Sequence, residues 1–183
     1  AALQPAILAD VAGRRGAVSG RIRPLHPGMK LAGTALTVEV RPGDNLMIHA
    51  AISLAKPGDV LVIDGKGDLS SALMGTIMMN ACRKLGIAGV VMDGAARDSV
   101  EIIEMDYPVF AAGTNPNGTT KNVPGRIGHP VSVGGVTVHP GDFVIGDADG
   151  VVVVEREKIE GLLPAPEKKV RDEAARLAAV QAG

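Results

Sequence analysis

Aromatic residues are nearly missing from this chain. Of 183 residues none is Trp, Tyr107 is the one tyrosine, and Phe110 and Phe143 are the two phenylalanines. Stacking platforms for single-stranded nucleic acid need such rings, so that class of partner loses support. An excess of one charge is missing too: Lys and Arg number 19 against 20 Asp and Glu, and no basic block stands out. The electrostatic footprint of a nucleic-acid binder is therefore lacking. Cysteine is reduced to Cys82, which excludes a disulfide within the chain and fits a reducing compartment. No apolar run reaches membrane-spanning length, and the start carries no secretory pattern. The expectation is a cytoplasmic protein with neither a membrane nor a nucleic-acid partner.

Familiar catalytic signatures are also missing. There is no phosphate-binding loop with its lysine, no G-x-G-x-x-G, no G-x-S-x-G and no H-E-x-x-H. The run Asp64-Gly65-Lys66-Gly67-Asp68 is rich in glycine but lacks the phosphate-loop order, and it reads as a plain loop. His26, His49, His129 and His139 show no ligand spacing. His26 and His139 each precede Pro-Gly and read as turn residues. His49 falls on an expected helix, where a hydrogen-bonded structural role is the simpler account. Cys82 and the methionines Met74, Met78 and Met79 read as core. Asp147-Ala148-Asp149-Gly150 reads as a solvated turn before a strand.

What is present has the length of one domain. Residues 4–14 form a short helix in this reading. Thr34–Val40 is a strand rich in β-branched residues, and Leu46, Ile48, His49, Ile52 and Ala55 follow helical spacing up to Pro57-Gly58. Val60–Ile63 is a short apolar strand. Met74, Ile77, Met78, Ala81, Cys82 and Leu85 make an amphipathic helix stripe, and Ala88–Met92 is a second apolar strand. That order implies a parallel crossover. Pro-Gly-Asp at 42–44, 57–59 and 140–142 marks β-turns. Residues 113–130 form a long loop by composition, and such loops in compact domains are often functional. Strands follow at 131–138, 143–145 and 151–154. A final helix over roughly 167–180 has a weak apolar face, which suits packing on another subunit.

The segment richest in chemistry is GVVMDGAARDSVE, residues 89–101. Its apolar strand ends at the turn signal Asp93-Gly94. Arg97 and Asp98 follow side by side, with Glu101 three residues on, a spacing that sets both acids on one helical face. A strand thus delivers a cation and two carboxylates to its C-terminal end, where open α/β sheets keep their sites. A plainer reading is a surface turn with Asp98 capping a helix. Both readings stand at this point.

The chain resembles a known family, the class II, divalent-metal-dependent 4-hydroxy-4-methyl-2-oxoglutarate aldolases, which share a fold with the regulator of ribonuclease activity A. The resemblance runs through GRRG (13–16), IRPLHPGMKLAGTALTV (22–38), RPGDN (41–45), PGDVLVID (57–64), GIAGVVMDGAARD (86–98), HPGD (139–142) and DADGVVVV (147–154). Its most specific part is Gly-Val-Val-x-Asp-Gly-x-x-Arg-Asp. The fold it implies is α/β: an RraA-like swivelling β/β/α-type domain over residues 1–163, with stacked sheets and flanking helices. A C-terminal helix, 164–183, would lie at a subunit interface of a homotrimer or hexamer.

The chemistry it implies is carbon–carbon cleavage of a 2-keto acid with Mg²⁺ or Mn²⁺. Asp98 matches the direct metal ligand and Arg97 the arginine at the keto oxygen. Glu101 matches an acid holding metal-bound water. Gly75, Ile77 and Met78 match a loop whose amides bind the substrate carboxylate. Glu173 of a neighbouring subunit, with Glu167 as rival, matches a further acid acting through water. In one place the chain departs from the pattern: back across twenty residues from Arg97 the family usually has an acid, and here that position, which the resemblance sets at the substrate, is Thr76. The same fold also hosts non-catalytic, protein-binding regulators.

Overall fold

Uninterrupted apolar runs, rather than alternating ones, belong to strands buried on both faces. The computed structural model, which describes residues 3–162 together with 165, 166, 169, 170, 176 and 180, places such runs at the centre of one large sheet. The first half of the chain forms α1 (Pro5–Val11), β1 (Arg23–Pro24), β2 (Leu31–Glu39), α2 (Leu46–Leu54), β3 (Asp59–Met74), α3 (Thr76–Lys84) and β4 (Gly89–Ala96). The second half forms α4 (Ser99–Glu104), β5 (Val109–Thr114), β6 (Arg126–Ile127), β7 (Val131–Val133), β8 (Val136–Val138), β9 (Phe143–Asp147), β10 (Gly150–Val154) and α5 (Arg156–Leu162).

The sheet runs β1-β5-β4-β3-β2-β9-β10, with β6 paired to the end of β2. Strands β2, β3, β4 and β5 are parallel neighbours. Strands β1, β6, β9 and β10 add antiparallel edges. The expected crossover is therefore the parallel β3–β4 pair joined through α3. All eight residues of β4 are buried, and a Val or Met removed from water there contributes roughly 1.5–3 kcal/mol. The β7–β8 hairpin packs its Val131, Val133 and Val138 onto the main core. The α/β expectation, a large sheet with flanking helices, holds. The layers are uneven, with eight strands in the sheet and two in the hairpin. Among the described residues no helix is long and apolar enough to cross a membrane.

Two turn readings are corrected. Asp93-Gly94 does not end its strand, because β4 continues to Ala96. The buried Asp93 carboxylate accepts hydrogen bonds from Arg21 Nη2 at 2.5 Å and from the Gly134 N–H at 2.9 Å. That pairing offsets its desolvation and ties the β7–β8 turn to the sheet. The run 64–68 is not a plain loop either, since it lies inside β3. Ile63 pairs with Met92 and Ala72 with Ala95, so nine steps along β3 match three along β4. Lys66 and Gly67 take positive φ there (59° and 70°), and Lys66 Nζ bridges Asp64 at 2.7 Å and Glu39 at 2.9 Å. Met74, expected on the α3 stripe, is instead the last residue of β3, so α3 opens at Thr76. Of the C-terminal helix, the described residues 165, 166, 169, 170, 176 and 180 are helical.

Candidate active site

The end of β4 sets the site. The chain leaves Ala96 and places Asp98 in the left-handed region, φ 58° and ψ 42°. A non-glycine residue adopts this conformation only at some cost, and Asp is among those that tolerate it. Asp98 occupies the N-cap position of α4, yet its side chain makes no capping bond. The capping reading of this residue is thus overturned. The carboxylate turns to the start of α3, where Oδ2 accepts the Thr76 N–H at 3.0 Å. Arg97 Nε stands 3.8 Å from the same oxygen. The N-terminus of a helix favours a negative charge at that position. Among the described residues, Asp98 Oδ1 accepts no hydrogen bond.

This arrangement requires glycine at position 75. A Cβ there would lie 2.5 Å from Asp98 Oδ2 and 3.0 Å from Arg97 Cγ. The φ of −139° suits any residue, so space and not backbone strain is the constraint. Gly75→Ala is expected to push the carboxylate off the Thr76 amide and to remove most activity while the core stays intact. Comparing turnover with the thermal midpoint checks this. Full activity in a folded Gly75→Ala protein would mean the carboxylate is free to relocate.

The N–H groups of Gly75, Ile77 and Met78 donate to no acceptor among the described residues. Orphan amides at a helix start form a ready site for an anion. Gly75, Ile77 and Met78, with Arg97 and Asp98, line a cavity of about 180 Å³. The second wall comes from α2 with its N-cap residue and from the loop after β5: Asn45, His49, Gly118, Thr119 and Lys121. Burial, followed by the nearby Lys121 charge, pushes the His49 pKa below its ordinary value, so the ring is neutral at pH 7. Among the described residues its Nε2 is buried without a partner, as is Asn45 Oδ1. The hydrogen-bonded structural role expected for His49 is therefore not what the ring does. Cys82 is core, as expected, and burial pushes its thiol up to about 12.

Beneath this wall lies Asp44, which is fully buried. Burial raises its carboxyl pKa. Hydrogen bonds from the Asn122 N–H, the Thr120 hydroxyl and the Leu46 and Val123 N–H groups outweigh that effect and hold it at about 2. A folded-state pKa below the unfolded value stabilises above the unfolded value. The contribution is therefore full above the ordinary 3.8 and is lost as pH falls toward about 2. Denaturation of wild type and Asp44→Asn should show a stability gap that closes across this acid window. A gap that is constant with pH would contradict the assignment.

Comparison with known proteins decides the family. The RraA-like family model, described as Aldolase/RraA, matches residues 5–153. A protein of Halalkalibacterium halodurans, provisionally named 4-hydroxy-4-methyl-2-oxoglutarate aldolase, is 41% identical over 163 residues, covering 89% of this chain and 78% of that protein. This chain belongs to the RraA-like family. Among solved structures, an uncharacterized protein from Pseudomonas syringae pv. tomato superposes with TM-score 0.88 at 27% identity, covering 99% of this chain and 89% of that one. The RNA-processing inhibitor RraA from Thermus thermophilis superposes with TM-score 0.77 at 28% identity, covering 84% and 93%. The RraA-like family thus includes proteins named as aldolases and proteins named as RNA-processing inhibitors.

In this RraA-like chain, Gly75, Ile77, Met78, Arg97 and Asp98 line this one cavity together. Thr76 is not among the residues that line it: its amide is engaged by Asp98, and its buried hydroxyl has no partner among the described residues. Glu101 is exposed on the first turn of α4 and is not part of the cavity wall. Glu173 and Glu167 lie outside the described residues. Among those residues no group of three or more His, Cys, Asp and Glu gathers to hold a metal. One carboxylate with an open oxygen still suits Mg²⁺, which keeps most of its waters and needs few protein ligands. Asn45 was visible only as part of RPGDN and Lys121 only as part of a long polar loop. Neither carried a chemical signal of its own.

Proposed function

We propose that this chain is a divalent-metal-dependent lyase that cleaves a 4-hydroxy-2-oxo acid to pyruvate through an enolate, with oxaloacetate decarboxylation as a second outlet. The reading is carried by the convergence, in one small cavity, of the Arg97 guanidinium, the open Asp98 oxygen and three uncommitted amides. Asp98 would hold Mg²⁺ or Mn²⁺ directly. Glu101, and Glu173 from a neighbouring subunit of a homotrimer or hexamer, would act through water. When bound, the ion acts as a Lewis acid toward the 2-oxo group.

The chain's own groups do the remaining work. The amides of Gly75, Ile77 and Met78 receive the substrate carboxylate. Arg97 faces the keto oxygen. As the 4-hydroxyl gives its proton to solvent water, C4 becomes a carbonyl and the C3–C4 electron pair passes into the enolate. Arg97 holds the charge that gathers on the enolate oxygen. Solvent water then returns a proton to C3, which gives pyruvate. With oxaloacetate the same bond breaks as carbon dioxide leaves. Lys121 and the neutral His49 on the second wall suit a substrate whose other end is anionic.

The test is direct. Incubation with pyruvate and Mg²⁺ in D₂O should erase the methyl proton signal, and oxaloacetate should lose carbon dioxide. Both activities should stop on chelation and return with added metal. A second reading, a protein-binding regulator without chemistry, draws support from the likeness to the Thermus RraA protein. Folded, metal-supplied protein that neither exchanges nor decarboxylates would favour it.

A further inference from the structure

The loop after β5, which lines the cavity through Gly118, Thr119 and Lys121, is a strap with two separate anchors. Its upstream end is tied to the sheet by asparagines. Asn115 Nδ2 donates to the Leu69 carbonyl at 2.8 Å, and Asn117 Nδ2 donates to the Ser70 carbonyl at 3.1 Å. The Asn117 carbonyl accepts the Ala72 N–H at 2.8 Å, and the Asn115 N–H donates to the Ala96 carbonyl at 2.9 Å. This end carries Gly118 beside Arg97: a Cβ on Gly118 would lie 3.2 Å from Arg97 Nη1.

The downstream end is held by Asp44. Its Oδ2 accepts the Thr120 hydroxyl at 2.7 Å, the Asn122 N–H at 2.7 Å and the Val123 N–H at 3.2 Å. Its Oδ1 accepts the Leu46 N–H, in the first turn of α2, at 3.0 Å. Thr120 N–H donates to the Gly43 carbonyl at 2.9 Å, and Asn45 N–H donates to the Thr120 carbonyl at 3.0 Å. No Lys, Arg or His of the described residues forms an ion pair with Asp44. The buried carboxylate is satisfied by these four donors. A buried charge without its donors is costly, so α2 and the strap are locked in one register.

We propose that Asp44 is a positioning residue for the distal end of the substrate: it clamps the strap bearing Lys121 to the helix bearing Asn45 and His49, and so sets the second wall of the cavity. The proposal rests on the lyase reading above. It separates the two ends of the cavity. The end at Arg97, where pyruvate alone would sit, is fixed by Asn115 and Asn117. The end at Lys121 depends on Asp44.

The experiment compares wild type with Asp44→Asn and Thr120→Val on two substrates. In Asp44→Asn an amide NH₂ faces donors that need an acceptor, and the clamp opens. KM for oxaloacetate is expected to rise about tenfold or more with kcat within a few-fold, a loss of binding rather than of transition-state stabilisation. KM for pyruvate in methyl deuterium exchange should move less than about threefold, because that end keeps its anchors. Thr120→Val should shift the same way by less, and Thr120→Ser should restore wild-type values. Hydrogen exchange gives a readout independent of activity. The amides of Thr120, Asn122 and Val123 should lose protection in Asp44→Asn while those of Asn115 and Ala72 keep it. An unchanged oxaloacetate KM, or equal rises for both substrates, overturns the proposal. So does loss of protection along the whole strap. Wild-type protein inactive on both substrates overturns the lyase reading and the substrate role with it. Hydrogen exchange then still decides whether Asp44 is the clamp.

Discussion

Asp98→Asn is expected to keep the fold and lose metal-dependent turnover down to background. Asparagine is nearly isosteric and tolerates the left-handed conformation that Asp98 adopts, φ 58°. Its amide oxygen can still accept the Thr76 N–H. What disappears is the negative charge and the anionic oxygen left open to a cation. Asp98→Ala removes the carboxylate as well, but it also places a residue that disfavours this backbone, at a cost of roughly 1–2 kcal/mol. The asparagine variant therefore isolates chemistry from strain. Circular dichroism and the thermal midpoint should match wild type, calorimetric Mg²⁺ titration should weaken sharply, and pyruvate methyl exchange should vanish. Wild-type turnover in this variant would sink the site assignment.

Arg97→Lys should be nearly as severe although the charge is kept. Arg97 sits between the Asp98 carboxylate, 3.8 Å away, and the strap at Gly118. A guanidinium presents a planar fork of donors in fixed geometry, and an ammonium on a flexible stem does not reproduce it. Removing a preorganised donor from a developing oxyanion costs on the order of 10²-fold or more in kcat. The discriminating measurement is the split between kcat and KM for oxaloacetate decarboxylation. A rise in KM alone would show that Arg97 binds the ground state and does little for the enolate.

Much of the fold was legible because its signals are local. The apolar runs that became the parallel strands, the three-and-four spacing of α3, and the Pro-Gly-Asp turns with positive φ at Gly43, Gly58 and Gly141 all follow from neighbours in the chain. The Arg97-Asp98 pair at the end of a buried strand was legible for the same reason. The misreadings also have a common cause. Asp93-Gly94 and Asp64–Asp68 carry turn composition, yet both lie in strands. The buried Asp93 and Asp64 carboxylates find partners in Arg21, Lys66 and the hairpin, which no local pattern reveals. Thr76 matched a motif position by count; in the fold α3 begins at that residue, its amide serves Asp98, and its buried hydroxyl finds no partner among the described residues.

The sequence by itself determined the class of the fold, the family, and the adjacency of a cation and a carboxylate at one strand end. These depend on periodicity and on covalent neighbours. Only the tertiary structure decided where those groups point. It turned Asp98 from a helix cap into a carboxylate held by the start of another helix, 22 residues away in the chain. It brought His49 and Lys121 to the same cavity, and it made Asp44 the anchor of a loop 76 residues distant. The physical reason is that a hydrogen bond is a property of closed geometry. A carboxylate has the same composition whether solvated in a turn or buried among four donors, and only the folded chain supplies the donors.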